Sequence, residues 1–324
     1  MNLEVLYLSK KDIENTDLAM AEVITVVEEA FKEKGEGKVE MPPKPGIHPK
    51  TDAFIHAMPA FIPKMKAAGM KWVSGFPNNR KYNLPYIMGV LVLNDLETGA
   101  PLCIMDASWV TAKRTGAATA VAAKYLARKD SKVFGILGCG VEGRSNLEAV
   151  LTVFRGLEEV RAYDVSKANL QRYVSEMTEK HGLRVAPVDS PRKAVEECDI
   201  VVTAGPILKH PKPVIGAGWF GDGGFACPLD FDSYWKPQAM QSMHKFCTDD
   251  VEQLLYYQSV GFFQDIPDVY ADLGELATGK KPGREEDSER TMSMNLGLAI
   301  EDMATAAKIY EKAKSKGIGI WLEL

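Results

Sequence analysis

The chain has 324 residues, 46% hydrophobic and 26% charged, the balance of a globular protein long enough for two domains and a large buried core. The formal net charge is −5 and the lysines and arginines are scattered, which excludes a basic stripe for nucleic acid and a polybasic patch for a membrane surface. The opening MNLEVLYLSKKDIENTD has no signal-peptide pattern, and no apolar run reaches the length of a membrane span. The five cysteines (Cys103, Cys139, Cys198, Cys227, Cys247) form no CxxC pair. They read as small buried hydrophobes of a cytoplasmic protein, and no metal site is expected.

Along the chain, residues 18–34 carry apolar side chains at helical spacing (Ile24, Val27, Ala30, Phe31) and end in a glycine-containing turn. MPPKPGIHPKTD is a proline-rich connection. AFIHAMPAF, AAGMKWVSGF and YIMGVLVLND read as strands, and the turn DLETG before PLCIMDA predicts a hairpin. Residues 107–128 form a helix of small residues suited to close packing. From Lys132 the rhythm changes to strand–helix alternation. SKVFGILGCG, EEVRAYDV, LRVAPVD and DIVVTAG are strands, EGRSNLEAVLTVF and SKANLQRYVSEMTEKHG are helices, and PRKAVEEC is a short helix. That order predicts a doubly wound parallel sheet, so the fold class is α/β with a Rossmann-type domain. A strand GGFACPL follows, then a polar helical region to about Gly283. The last helix, LGLAIEDMATAAKIYEKAKSKG, is amphipathic and is expected to return to the first domain or build a subunit interface.

Within the first alternating unit, Gly138, Cys139, Gly140, Val141, Glu142 and Gly143 spell GxGxxG between an apolar strand and a helix. Asp164 ends the next strand, with Val165 and Ser166 beside it, and this full context marks a dinucleotide fingerprint. Gly138 serves the tight turn, Gly140 the approach of the pyrophosphate and Gly143 the helix–strand packing. The helix N-terminus offers N–H groups and a positive dipole end to the phosphates. Asp164 is expected to accept from the adenosine ribose and to repel a 2′-phosphate, so NAD is the expected cofactor, with NADP left open by nearby Lys167. Thr203 and Ala204 fall at the carboxyl edge of the sheet, where a cofactor crosses. Asn295 is a candidate for the nicotinamide side, and capping is the alternative for both places.

MPPK, AGMKWVSGFPNN, the run LPYIMGVLVLNDLETGAPLCIMDASWVTAKRTGAATAVAAKYLARKDS, FGILGCGVEG and GLAIEDMATAAKIY stand in an order and spacing that resembles the ornithine cyclodeaminase/mu-crystallin family over nearly the whole chain. The resemblance implies a homodimer. It implies that residues 1–115 with 300–324 make an α+β substrate-binding and dimerisation domain, and that 116–299 make the NAD-binding Rossmann domain. It implies one of the family's activities, which are cyclodeamination of ornithine or lysine, alanine dehydrogenation, reduction of ketimines, or ligand binding as in mu-crystallin.

These reactions share hydride transfer between nicotinamide and the α-carbon of an amino or imino acid. They need a cation for the carboxylate and a proton carrier at nitrogen. By resemblance Arg114, in AKRTGAA, anchors the carboxylate, and a guanidinium suits that by its parallel donors. Thr115 beside it is placed at the cofactor phosphates. Lys71 lies in the mostly apolar GMKWVSGF, where desolvation lowers a lysine's proton affinity and suits a general acid; the alternative is a lysine that snorkels to water. Lys44 of MPPKPG matches a basic substrate-binding position in relatives, or is a solvated loop lysine. His56 stands where some relatives have arginine, or is a core histidine.

Registering the chain on Trp219 of GAGWFGDGG puts Asp232 at the family's catalytic aspartate, with Asp230 two residues before it as the other candidate. Capping of a following helix is the competing role for Asp232. The PGK element that accompanies that aspartate is missing, which argues against ornithine cyclodeamination. Asp302 is expected to pair within its own helix. The leading expectation is an imine reductase or amino-acid dehydrogenase acting on a small molecule, a cyclodeaminase is the alternative, and a binding protein is the third.

Overall fold

The computed structural model describes residues 3–324. In chain order the elements are β1 (Glu4–Leu8), α1 (Lys10–Asn15), α2 (Met20–Gly35), β2 (Gly46–Ile47), β3 (Phe54–Ile62), β4 (Ala67–Gly75), β5 (Ile87–Asn94), β6 (Pro101–Asp106) and α3 (Ala107–Leu126). Then come β7 (Val133–Leu137), α4 (Val141–Val153), β8 (Glu159–Tyr163), α5 (Lys167–His181), β9 (Arg184–Pro187), β10 (Ile200–Thr203), β11 (Phe225–Pro228) and α6 (Pro237–Gln241). They are followed by β12 (Lys245–Thr248), α7 (Val251–Ser259), β13 (Ala271–Asp272), α8 (Leu273–Ala277), β14 (Thr291–Met294), α9 (Ala299–Lys316) and β15 (Ile320–Glu323). The chain divides into two compact units: the part up to Arg114 with Leu298–Leu324, and Thr115–Gly297. The first boundary falls inside α3.

The first unit is built on a seven-stranded sheet in the order β15-β1-β6-β5-β4-β3-β2. Strands β3 to β6 form an antiparallel meander, β1 runs parallel to β6, and β15 closes the edge antiparallel to β1. Helix α9 packs on β3, β4 and β5 and on α2. The stripe Val23, Val27, Ala30 and Phe31 of α2 is fully buried, as its helical spacing requires. Strand alternation splits β4 between two environments. Lys71 lies opposite Met58 and Leu91, both buried, whereas Trp72 lies opposite Ala57 and Val90, and Trp72 and Val90 are exposed. The face that carries Trp72 continues through Val92, Ile104 and Tyr7 to Ile320, and Trp72, Val90, Tyr7 and Ile320 are exposed on it. Strands β1 and β15 were not anticipated, and the proline-rich connection holds the short strand β2.

The second unit is a Rossmann-type sheet of eight strands, all parallel, in the order β13-β12-β14-β11-β10-β7-β8-β9. Strand order reverses between β7 and β10, which is where open α/β sheets leave a crevice at their carboxyl ends. The second half of α3 is locked here. A Cβ on Gly116 would stand 2.6 Å from the Ser145 carbonyl oxygen, and Thr119 Oγ1 lies 3.5 Å from Cys227 Sγ. Beyond β11 the expectation of a polar helical region is corrected: β12, β13 and β14 complete the sheet between short helices. Lys245–Thr248 and Thr291–Met294 are buried at every position, so they lack the alternation that marks a half-exposed strand. PRKAVEEC holds only a 3₁₀ turn at Arg192–Ala194. All five cysteines are buried and unpaired with one another, and no helix among the described residues is long and apolar enough to cross a membrane.

Candidate active site and cofactor loop

Lys71 points from the middle of β4 onto the α9 face and is fully buried. Its Nζ lies 2.7 Å from each carboxylate oxygen of Asp302. Asp302 Oδ1 also lies 3.1 Å from Arg114 Nε, and Arg114 Nη1 donates to Glu301 Oε2 at 2.8 Å. The other Glu301 oxygen accepts the Leu298 N–H at 3.1 Å, which ties the cluster to the start of α9. Two cations and two carboxylates thus share a site from which water is excluded, an arrangement that seldom adds stability over apolar packing. Burial, reinforced by the Arg114 charge, lowers the Lys71 pKa to about 8 against the opposing pull of Asp302 and Glu301. Burial raises the Glu301 pKa, and Arg114 offsets part of that rise.

Strand β2 lays the Lys44 segment along β3: Gly46 pairs with His56, and Ala57 N–H donates to the Pro45 carbonyl. Lys44 is therefore buried rather than a solvated loop lysine. His56 is buried against the Phe54 ring, with 4.3 Å between centroids. Burial, with the Lys44, His48 and Lys71 charges, lowers its pKa to about 3, so the imidazole is neutral. Lys71 does not snorkel and Arg114 is not a surface arginine. Asp302 corrects its expectation: it pairs with Lys71 of β4 and Arg114 of α3, because the first turn of α9 faces the sheet. Asp302 and Glu301 were both absent from the anticipated site. Their signal was two adjacent acids among apolar residues that all turn out buried.

In the second unit the loop after β7 is shaped by close backbone approaches at its glycines. Gly138 has φ 106°, and a Cβ there would stand 2.5 Å from the Ala204 oxygen, so the ends of β7 and β10 are pinched together. A Cβ on Gly143 would stand 2.3 Å from the Gly138 oxygen, which fixes how closely α4 approaches the loop. Among the described residues, a Cβ on Gly140, the N-cap of α4, would meet nothing within 4 Å, and no side chain caps this helix. The first N–H groups of α4 therefore lie beside open space, with Val141 exposed and Glu142 in the first turn. Asp164 braces the loop, accepting from Cys139 N–H at 2.8 Å and from Ser166 N–H at 2.7 Å. Ser166 caps α5 through Asn169 N–H, and Val165 beside it is exposed.

At the carboxyl edge, buried Thr203 donates to Asp230 Oδ1 at 2.7 Å and Gly205 N–H donates to Asp230 Oδ2 at 2.9 Å. Burial outweighs these bonds and raises the Asp230 pKa to about 7. Asp232 faces another way, accepting from Phe263 N–H at 2.9 Å, and its Oδ1 has no partner among the described residues. The capping role weighed for Asp232 is corrected, because the following helix α6 is capped at Lys236 without a side-chain bond. Asn295 sits past the end of β14, buried, with Oδ1 accepting from Ser293 Oγ at 2.7 Å and Nδ2 without a partner among the described residues. Asp249 holds the adjoining turn by accepting from Leu296 and Gly297 N–H, both at 2.7 Å. Thr115 precedes Gly116, the residue that abuts α4.

The parallel sheet, its reversal point and the open glycine loop define a protein of the Rossmann class. The chain belongs to the ornithine cyclodeaminase/mu-crystallin family, whose model matches residues 4–317. It is 38% identical to an alanine dehydrogenase of Archaeoglobus fulgidus over 98% of each chain. Among solved structures it is similar to Thermococcus litoralis Delta(1)-pyrroline-2-carboxylate reductase in complex with NADH and L-proline, at 36% identity and a TM-score of 0.89, covering 98% of this chain and 99% of that one. It is also similar to an archaeal alanine dehydrogenase dimer with bound NAD, at 36% identity and a TM-score of 0.88, covering 99% and 100%.

Proposed function

We propose that the chain is an NAD(H)-dependent oxidoreductase that moves a hydride between nicotinamide and the α-carbon of a small α-imino or α-amino acid. The observation that carries this reading is the water-free pairing of Lys71 and Arg114 with Asp302 and Glu301. A lysine whose proton affinity is lowered by burial, held beside an arginine, suits proton transfer to a substrate nitrogen.

The second unit's residues fit the dinucleotide. The open face at Gly140, the loop N–H groups from Gly138 to Glu142, and Thr115 would hold the pyrophosphate. Asp164, with Val165 and Ser166, would hold the adenosine ribose and disfavour a 2′-phosphate, so NAD is preferred over NADP. Thr203 and Ala204 shape the strand edge, and Asn295 Nδ2, without a partner among the described residues, offers a donor to a carboxamide oxygen. When bound, the nicotinamide supplies or accepts the hydride.

Arg114, with Lys44 beside the neutral His56, anchors the substrate carboxylate. Lys71 gives its Nζ proton to nitrogen in reduction and takes one back in oxidation. Imine reduction therefore falls, and amine oxidation rises, as pH climbs through about 8. Asp230 fixes the edge of β10 through Thr203 and Gly205. Asp232, whose Oδ1 has no partner among the described residues, is the second proton-handling candidate, to be tested as Asp232→Asn. The protein works as a homodimer through the exposed sheet face, in the reducing cytoplasm.

The deciding experiment follows NADH consumption with pyrroline-2-carboxylate and with 2-oxo acids plus ammonia or methylamine, alongside ammonia release from ornithine. The expected result is NADH oxidation with one imine and its loss in Arg114→Ala. Ammonia from ornithine without net NADH change would instead make the chain a cyclodeaminase. Silence in both assays would overturn an enzymatic role for this site.

A further inference from the structure

We propose that Asp302 is a positioning residue for this reaction: from the first turn of α9 its carboxylate sets the pose of both Lys71 and Arg114, and Glu301 braces Arg114 from the neighbouring position. The inference rests on the functional reading above. Asp302 reaches Lys71 Nζ with both oxygens at 2.7 Å and Arg114 Nε with one at 3.1 Å, and it is fully buried. Lysine and arginine each have long, rotamer-rich stems, and a carboxylate shared between them removes that freedom at the point where both must face one substrate. Glu301 spends its second oxygen on the Leu298 N–H, so the pose of the cations is tied to the backbone that starts α9. Pure packing does not call for this arrangement: Met58 and Leu91, the cross-strand neighbours of Lys71, are apolar and buried, and an apolar side chain at position 71 would suit them.

The charged and titratable groups facing Lys71 are Asp302 and Glu301 from α9, Arg114 from α3 and neutral His56 from β3, while its β5 neighbour is Leu91. Arg114 drives the Lys71 proton off and the two carboxylates hold it on. Neutralising Asp302 therefore leaves Lys71 easier to deprotonate.

The test compares wild type, Asp302→Asn and Asp302→Glu by the pH profile of kcat/KM for imine reduction, with NADH affinity and Tm measured alongside. In Asp302→Asn the basic limb is expected to move to lower pH and kcat/KM to fall on the order of 100-fold, with NADH affinity unchanged. In Asp302→Glu, where charge stays but the carboxylate shifts by one methylene, the limb is expected to return while kcat/KM stays low. A limb that stays in place in folded Asp302→Asn overturns the proposal. Should Asp302→Asn not fold, wild-type kcat/KM in Asp302→Glu overturns it. A wild-type chain that turns over no imine sinks the functional reading itself, whereas turnover with an unmoved limb sinks only the positioning role.

Discussion

Lys71 and Arg114 show how a cationic side chain takes its chemistry from its neighbours. A lysine in water holds its proton to well above neutral pH, but burial brings Lys71 down to about 8. A folded-state pKa below the unfolded value means that the unfolded chain binds the proton more tightly between about 8 and the ordinary lysine value. The contribution of Lys71 to stability is thus fullest above the unfolded value and is lost as pH falls through about 8. Comparing Tm of wild type and Lys71→Met across this range, the difference should shift in favour of wild type as pH rises; a constant difference would contradict the lowered affinity. Arg114→Lys keeps the charge but not the fork that meets Glu301 and Asp302 together. Its kcat/KM for imine reduction should fall about 100-fold or more while NADH affinity holds. The types of these residues were legible in the sequence, since a lysine in an apolar strand and an arginine among small residues each stand out. Their partners were not, because Lys71 and Asp302 are separated by 231 positions and nothing local links them.

At the scale of elements, the β7–loop–α4 unit makes two glycines do different work. The Gly143 Cα faces the Gly138 backbone, so Gly143→Ala must push α4 away from the loop. Such overpacking costs about 1–3 kcal/mol, and Tm should drop with NADH affinity. Gly140 faces open space with φ −85°, which any residue adopts, so Gly140→Ala should leave the Tm of the free protein unchanged. It should still weaken NADH binding on the order of tenfold, about 1.4 kcal/mol, by placing a methyl group where the pyrophosphate approaches. Thermal melts with and without NADH separate the two variants, and equal loss of stability in both would refute the division of roles. This unit was readable from sequence because an apolar strand, spaced glycines and a following acid leave local marks. Strands β12 and β14 leave none: each is four residues long and buried on both faces.

At the scale of the whole molecule, the two faces of the first unit's seven-stranded sheet differ: the α9 side carries Lys71 and His56 among apolar residues, and the other side is largely apolar. One face is covered by α9, while the other presents Tyr7, Trp72, Val90 and Ile320 to solvent, with Val92 and Ile104 between them. A sheet face of that composition is costly to leave in water, and two copies laid face to face would bury it as sandwiched sheets do. Val90 offers the cleanest test, because its side chain is exposed and a lysine there would keep its charge in water in the isolated chain. In a dimer the same lysine would be desolvated without a partner. Val90→Lys should therefore elute as a monomer by light scattering, wild type being expected to elute as a dimer, with its far-UV circular dichroism retained. Because Trp72, the partner of Val90 across the sheet, is next in sequence to Lys71, loss of the dimer should also lower kcat without removing NADH binding. A Val90→Lys protein that remains dimeric would place the subunit contact elsewhere on the molecule.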